Sequence, residues 1–461
     1  MRTLAILPLL VLASPAPAQN VQPGDVVALN TFSPPGAVHG SVSAATNEIG
    51  DTYLVWEAAV DAPGTAHEGL TRIEGAFVRR FSSNSWRVFP TEVLGEADPT
   101  VLGANQVFAG GDTCSAPTVE ALGNDFAVVW TRSDASNGSD AQIECVTVDV
   151  PSTGGAVVSQ FAPGVGFAIE AIDALGAGGQ ADLLSTGGAD FVVCYVSNTG
   201  VTNHAGGNAY DFDLRAVSGS LGVGAPSFGA VHVLSNAVAY DDLPGSVPHS
   251  AAVEPSCALD TFGNLVVAYA DYRSADRLGS GFDQRGHMHV ARFALGSFQL
   301  LNAQLVAVRN VENLQRSGHL YRSRSNSEVS LAVTDVDVDG ANQNQIGHYD
   351  FDYPNATDDA TIVDHNVGLK SWQPVQVEAL QHRGLRVAVT DLDFHGTAAI
   401  AYKRPNKSWI AVHPLTAIAP QGLSIGHLES DPTDPNHGWA VLLTRATTSG
   451  DARAHFMITR L

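Results

Sequence analysis

The tetrapeptide Ala-Val-Thr-Asp occurs at residues 332–335 and again at 388–391, each time followed by a second Asp (Asp337, Asp393) and a Gly (Gly340, Gly396) at the same spacing. Identical internal spacing in two segments of one chain marks a duplicated supersecondary unit, and a unit too small to bury its own apolar face must stack on copies of itself. Four further copies are legible as SVSAATNEIGDTYLVW (41–56), APTVEALGNDFAVVW (116–130), ADLLSTGGADFVVCY (181–195) and SCALDTFGNLVVAY (256–269). Each is a short apolar strand, a tight turn carrying Gly or Asn-Asp, and a second strand ending in an aromatic residue, with the period-two alternation of hairpins. The Ala-Val-Thr-Asp pair supplies the fifth and sixth copies, and a weaker seventh runs from residue 423 through 439–443 to 455–460. Outer strands are expected at 156–161, 230–234 and 299–306.

Four strands per unit, repeated about seven times, is the arithmetic of a β-propeller. The expected fold is therefore all-β: a single propeller of about seven four-stranded blades over residues 19–461, with six or eight blades or two stacked sandwiches as the alternatives. The aromatics Trp56, Trp130, Tyr195, Tyr269 and Tyr402 fit one recurring packing position between blades, which sandwiches would not need. A ring must close. The last copy ends after its third strand, and the segment DVVALNT (25–31) precedes the first blade without a partner. It is expected to complete the last blade as its outermost strand, leaving no exposed edge.

Residues 1–18 read as a signal peptide: an Arg near the start, an apolar run at 4–13 too short to span a bilayer, and Ala16-Pro17-Ala18 for cleavage. This predicts a secreted protein, extracellular or periplasmic, without membrane insertion. The net charge of −23 is spread along the chain, and Lys370, Lys403 and Lys407 are its only lysines. Nucleic acid and anionic membrane surfaces both demand a basic footprint, so neither is an expected partner. The four cysteines, Cys114, Cys145, Cys194 and Cys257, include no C-x-x-C pair, which argues against zinc or dithiol redox chemistry. In an exported chain they suggest disulfides; three pairings are open, of which Cys114 to Cys145 with Cys194 to Cys257 is the preferred reading.

On this blade pattern the chain resembles the secreted bacterial sialidase-like, BNR-type β-propellers over nearly its whole length. The Asp-box of that group is absent in intact form. Asp260-Thr261-Phe262-Gly263 and Asp393-Phe394-His395-Gly396 keep its Asp-x-x-Gly core, at positions read as hairpin turns between first and second strands. The resemblance implies the fold. It also implies a substrate carboxylate held by three arginines, with a Tyr nucleophile, its Glu partner and an acid/base Asp; that complete set is not assignable here, so the activity is not carried over.

Propeller ligands bind where connections converge at one end of the ring. The stretch 309–326 (RNVENLQRSGHLYRSRSN), read as such a connection, gathers Arg309, Arg316, Arg322 and Arg324 beside His319 and Tyr321 in an otherwise base-poor chain. The neighbouring loop adds Arg273, Arg277 and Arg285, followed by His287 and His289. Guanidinium forks grip carboxylates and sulfates, and Tyr or His can move a proton on a sugar. Arg273, Arg285, His319 and Arg324 are thus candidate ligand-binding residues, and His249, Tyr321 and Arg322 the candidate catalytic set of a lyase-like site. The bland alternative has these arginines ordering long loops by pairing with Asp276, Asp283 and Glu328. Asp335, Asp337 and Asp339 before Gly340 have the alternation of a calcium loop, but Ile346 stands where the bidentate Glu belongs, so solvated turn acids are the preferred reading and no cofactor is expected beyond a possible calcium ion. No phosphate loop, dinucleotide fingerprint, nucleophile elbow or His-Glu-x-x-His is present. The expected function is a non-catalytic propeller binding an extracellular glycan or protein, with a glycoside hydrolase or polysaccharide lyase acting on an acidic polysaccharide as the alternative.

Overall fold

The computed structural model describes residues 19–21, 26–61, 63–65, 67–82, 85–97, 107–108, 111–136, 140–173, 180–198, 212–222, 224–234, 252–271, 287–306, 313–322, 329–337, 344–364, 370–371, 378–382, 385–392, 397–403, 410–414, 426–430, 438–446 and 452–460. Beyond residue 362 it describes side chains only at 454–456. The proposed signal segment, 1–18, lies outside these residues. All regular structure among them is β-strand, and no helix is long and apolar enough to cross a membrane.

The described strands form seven antiparallel sheets, each beginning with one copy of the hairpin read in the sequence. The hairpins are His39–Thr46 with Thr52–Ala59, Asp112–Leu122 with Asp125–Asp134, Ala181–Gly187 with Asp190–Asn198, and Ala252–Leu259 with Leu265–Asp271. Asn313–Arg322 with Val329–Asp337, Glu378–His382 with Leu385–Leu392, and Gly426–Ser430 with Gly438–Ala446 continue the series. Third and fourth strands follow outward in each sheet. The first strand of every sheet packs on the first strands of both neighbours, and His39–Thr46 packs back on Gly426–Ser430. A single ring of radially ordered sheets is a β-propeller.

Closure takes the expected form. Val26–Ala28 pairs with the third strand of the last sheet, Ala452–Arg460, in the register Val26 to Met457, Val27 to Phe456 and Ala28 to His455, and the Leu29 amide continues the ladder to the Ala454 carbonyl at 3.0 Å. Val27, Leu29, Ala454 and Phe456 then bury against Val42, Trp56 and Trp86 of the first sheet. Residues just past the proposed cleavage point do more than expected: Gln19–Val21 adds a strand outside Ser85–Val88.

Four expectations need correction. Asn313–Arg322 is the innermost strand of the fifth sheet and not a connection, because its alternating residues pair with Val329–Asp337 around one bulge at 317–318. Residues 393–396 lie between the second and third strands of the sixth sheet, not the first and second. Tyr402 is on a third strand, whereas Trp56, Trp130, Tyr195 and Tyr269 share the second-strand position. All four cysteines are buried free thiols. Cys114 faces the cluster between the first and second sheets and Cys145 the cluster between the second and third, on opposite faces of one sheet, so they cannot be bridged.

Side chains join the sheets where no backbone ladder can. The innermost strands of the second, fourth and fifth sheets carry bulges starting at Ala116, Glu254 and Ser317. Ala116 and Glu254 sit there at φ of 51° and 53°, a conformation uncommon for residues with a Cβ. Their amides are taken by the preceding sheet, Ala116 by Glu57 Oε2 at 3.2 Å and Glu254 by Gln180 Oε1 at 2.7 Å. Three residues farther on the pattern repeats: Ser43 accepts from the Val119 amide, Asp182 from Cys257 and Ser256 from Leu320.

A second joint uses arginine. In the turn at 260–264, Gly263 adopts φ of 78° and Asp260 Oδ1 accepts the Phe262 and Asn264 amides, both at 2.8 Å. Asp260 Oδ2 holds Arg292 Nε at 2.5 Å, and the guanidinium reaches the Asn355 and Asp358 carbonyls of the next sheet while lying 4.2 Å from the Tyr353 ring centroid. The first sheet repeats the device, with Asp51 holding Arg79 and Arg79 reaching the carbonyls of Pro151 and Gly154. The Asp-x-x-Gly core at 260–263 is therefore an inter-sheet joint and not only a turn.

Glu92, on the strand Glu92–Gly95, gives a pH-dependent prediction. Burial pushes its carboxyl from 4.5 up to about 7. Between these values the folded state binds more protons than the unfolded one, so Glu92 lowers stability as pH rises through that window. Glu92→Gln is expected to leave urea stability unchanged at pH 4 and raise it by about 1–2 kcal/mol at pH 8. Equal midpoint changes at the two pH values would contradict this.

Candidate functional site

One end of the ring is defined by the starts of the first and third strands and the ends of the second strands, where the long connections leave the sheets. Register places Asp112 beside Asp134 there in the second sheet, with Asp140 and Asp173 paired on its outer strands. Asn198 and Phe212, then Ser197 and Asp213, meet in the third sheet, Asp271 and His287 in the fourth, and Asn313 and Asp337, then Gln315 and Asp335, in the fifth. Strand termini at this end are thus repeatedly acidic. Asp335 and Asp337 lie two apart on a paired strand, with side chains outside the described residues, as are all of Asp339, His249, Arg273, Arg285 and Arg324. Among the described residues no group of three or more His, Cys, Asp or Glu is placed to hold a metal ion.

Each described arginine reaching this end is already engaged with carboxylates. Arg72 lies 3.2 Å from Glu74 and 3.5 Å from Glu96. Arg132 is fully buried between Asp112 (3.1 Å) and Glu144 (2.8 Å), and it also donates to the Glu96 and Gly164 carbonyls at 2.8 and 2.5 Å. Arg215 holds Glu170 at 2.8 Å and Asp213 at 3.5 Å. Glu170 also accepts the hydroxyl of Tyr195, a Tyr–Glu–Arg set that sequence reading missed because its members are far apart in the chain and on two sheets. Tyr195 is completely buried, and burial, with the Glu170 hydrogen bond second, drives its phenol well above its ordinary pKa. A phenol so held is a poor nucleophile and a good joint between sheets.

Tyr321 and Arg322 lie at the other end of the fifth sheet, beside the hairpin to Val329, with Tyr321 opposite Ser330. The Arg322 side chain is outside the described residues. Tyr321 is buried, its hydroxyl hydrogen-bonded to His348 Nε2, and His348 Nδ1 lies 3.9 Å from Asp350, which accepts from Ser330 Oγ at 2.7 Å. His319 stacks on Tyr321 with centroids 6.4 Å apart. This hydroxyl–carboxylate–imidazole–phenol chain lies on the sheet face opposite the cluster shared with the fourth sheet, among groups that are nearly all buried. Of the residues singled out in 309–326, the structure brings His319 and Tyr321 together, inside the fold and away from the end with the long connections.

No protein-family profile matches the chain, and no curated protein matches its sequence. Solved structures similar to it include a GH93 α-L-arabinofuranosidase of Fusarium graminearum in complex with arabinobiose, at 8% identity over 96% of this chain and 98% of that one, TM-score 0.48. An α-L-arabinanase of Penicillium chrysogenum is similar at 8% identity over 96% and 97%, TM-score 0.47. The NanB sialidase of Streptococcus pneumoniae is similar at 9% identity over 95% and 70%, TM-score 0.47. By its own strand order and ring of contacts, this chain is a β-propeller.

Proposed function

We propose that this propeller is a secreted, non-catalytic binding or scaffold protein that holds an extracellular glycan or protein at the end of the ring bearing its long connections. The observation carrying this reading is that the described groups suited to chemistry are spent on the fold. Arg132, Arg215 and Tyr195 are committed to carboxylates, and Tyr321 is enclosed with His348. Of the acids that register brings to these strand termini, Asp112, Asp134 and Asp213 are buried while Asp140 is exposed. An exposed carboxylate there, in a chain of net charge −23, suits a neutral or basic partner better than an anionic polysaccharide.

The test is retention of the purified protein on neutral polysaccharides, acidic polysaccharides and a basic polypeptide, with reducing ends and unsaturated products assayed in parallel. Retention without products is expected, on a neutral or basic matrix, and weakened several-fold by Asp140→Asn at the exposed acid. Products from any polysaccharide would overturn the non-catalytic reading, and retention on acidic polysaccharides alone would overturn the assignment to the acidic strand termini.

A further inference from the structure

We propose that Cys194 and Cys257 form a disulfide clasping the third sheet to the fourth under oxidising conditions, while Cys114 and Cys145 remain thiols. Cys194 lies on the second strand of the third sheet, directly across from Asp182 on the first. Directly opposed residues project from the same face, and here that face meets the fourth sheet. Asp182 Oδ2 takes the Cys257 amide at 2.6 Å, which fixes the backbone of Cys257 over its cross-strand neighbour Cys194. The two cysteines share one buried cluster with Val192, Val267 and Tyr269, and the neighbouring Cys194 sulfur adds to burial in holding the Cys257 thiol up. The other two thiols are apart, Cys114 donating to the Glu96 carbonyl and Cys145 to the Val146 carbonyl, both at 3.7 Å. Only one apposed pair therefore exists among the four.

The chemistry needs an external oxidant, and a low-molecular-weight disulfide such as oxidised glutathione supplies it. One cysteine thiolate attacks the reagent, displacing one small thiolate and forming a mixed disulfide. The second cysteine sulfur then attacks the mixed disulfide, forming the protein S–S bond and displacing the second small thiolate. The two cysteine protons end on the two small thiols, so two protein sulfurs are oxidised as one reagent disulfide is reduced. Burial holds the Cys257 thiol well above its ordinary pKa, so exchange belongs to the folding chain, before the fourth sheet docks.

The proposal is independent of what the propeller binds, and it is tested on the full chain. The protein is unfolded and reduced, refolded with either oxidised glutathione or dithiothreitol, alkylated in denaturant without reductant so that the buried thiols are reached, and mapped by mass spectrometry. Oxidative refolding is expected to lower the intact mass by about 2 Da before alkylation, link the Cys194 and Cys257 peptides, and leave alkylation at Cys114 and Cys145. The thermal midpoint of the oxidised form is expected to rise by roughly 5 °C or more over the reduced form. Cys194→Ser should abolish both the link and the shift, and Cys114→Ser with Cys145→Ser should retain both. If Cys194→Ser does not fold, mapping of the Cys114→Ser/Cys145→Ser protein decides alone. Four alkylated cysteines after oxidative refolding, or a link involving Cys114 or Cys145, would overturn the proposal.

Discussion

Arg132→Met is expected to lower folding stability by about 3–5 kcal/mol, read as a fall in the urea midpoint at unchanged slope. The substitution preserves much of the side-chain volume, so the loss is electrostatic. Asp112 and Glu144 both have fully buried side chains at the contact, and removing the guanidinium leaves two carboxylates in a site from which water is excluded. The two carbonyls that Arg132 satisfies, Glu96 and Gly164, lose their donor as well. Arg132→Lys should recover only part of the loss, because one ammonium cannot span four acceptors arranged around a planar fork. Combining Arg132→Met with Asp112→Asn and Glu144→Gln should recover more than Arg132→Lys does, since it removes the uncompensated charge. A change below about 1 kcal/mol for Arg132→Met would mean that water enters the site and screens the acids.

The other large effect is expected at the point of closure. A chain beginning at Asn30 should melt ~10 °C below one beginning at Gln19 and form concentration-dependent oligomers. Truncation removes Val27 and Leu29 from the cluster between the last and first sheets, at about 1.5–3 kcal/mol each. It also bares the strand Ala452–Arg460 along the edge that Val26–Ala28 now covers. A chain beginning at Asp25 loses the strand Gln19–Val21 but keeps closure, so it separates the two contributions. Calorimetry with size-exclusion chromatography reads both consequences, and equal midpoints with monodisperse elution for all three chains would show that the ring does not depend on this strand.

The candidate site was less legible than the fold. The basic content of 309–326 drew attention to Tyr321 and Arg322, but the alternation that makes Asn313–Arg322 a strand is masked by polar residues on both faces. Those faces meet different surroundings: Leu320 packs toward the fourth sheet, while Tyr321 joins His348 and Asp350 on the other side. Nothing in local spacing signals that a hydroxyl-bearing residue on a first strand will meet an imidazole on a third. The Tyr195, Glu170 and Arg215 set was missed for the same reason.

By itself, the sequence determined the hairpin unit, its recurrence, the radial order of strands and the use of residues near 26–28 to close the ring. These follow from local turn chemistry and period-two burial, which are written in neighbouring residues. Only the tertiary structure decided which polar groups neutralise one another, that Cys114 and Cys145 face away from each other, and that Asp260 and Asp51 anchor arginines reaching into the next sheet. The physical reason is that a burial pattern constrains each strand locally, whereas hydrogen-bond and ion-pair partners depend on distances across sheets that only the closed ring sets.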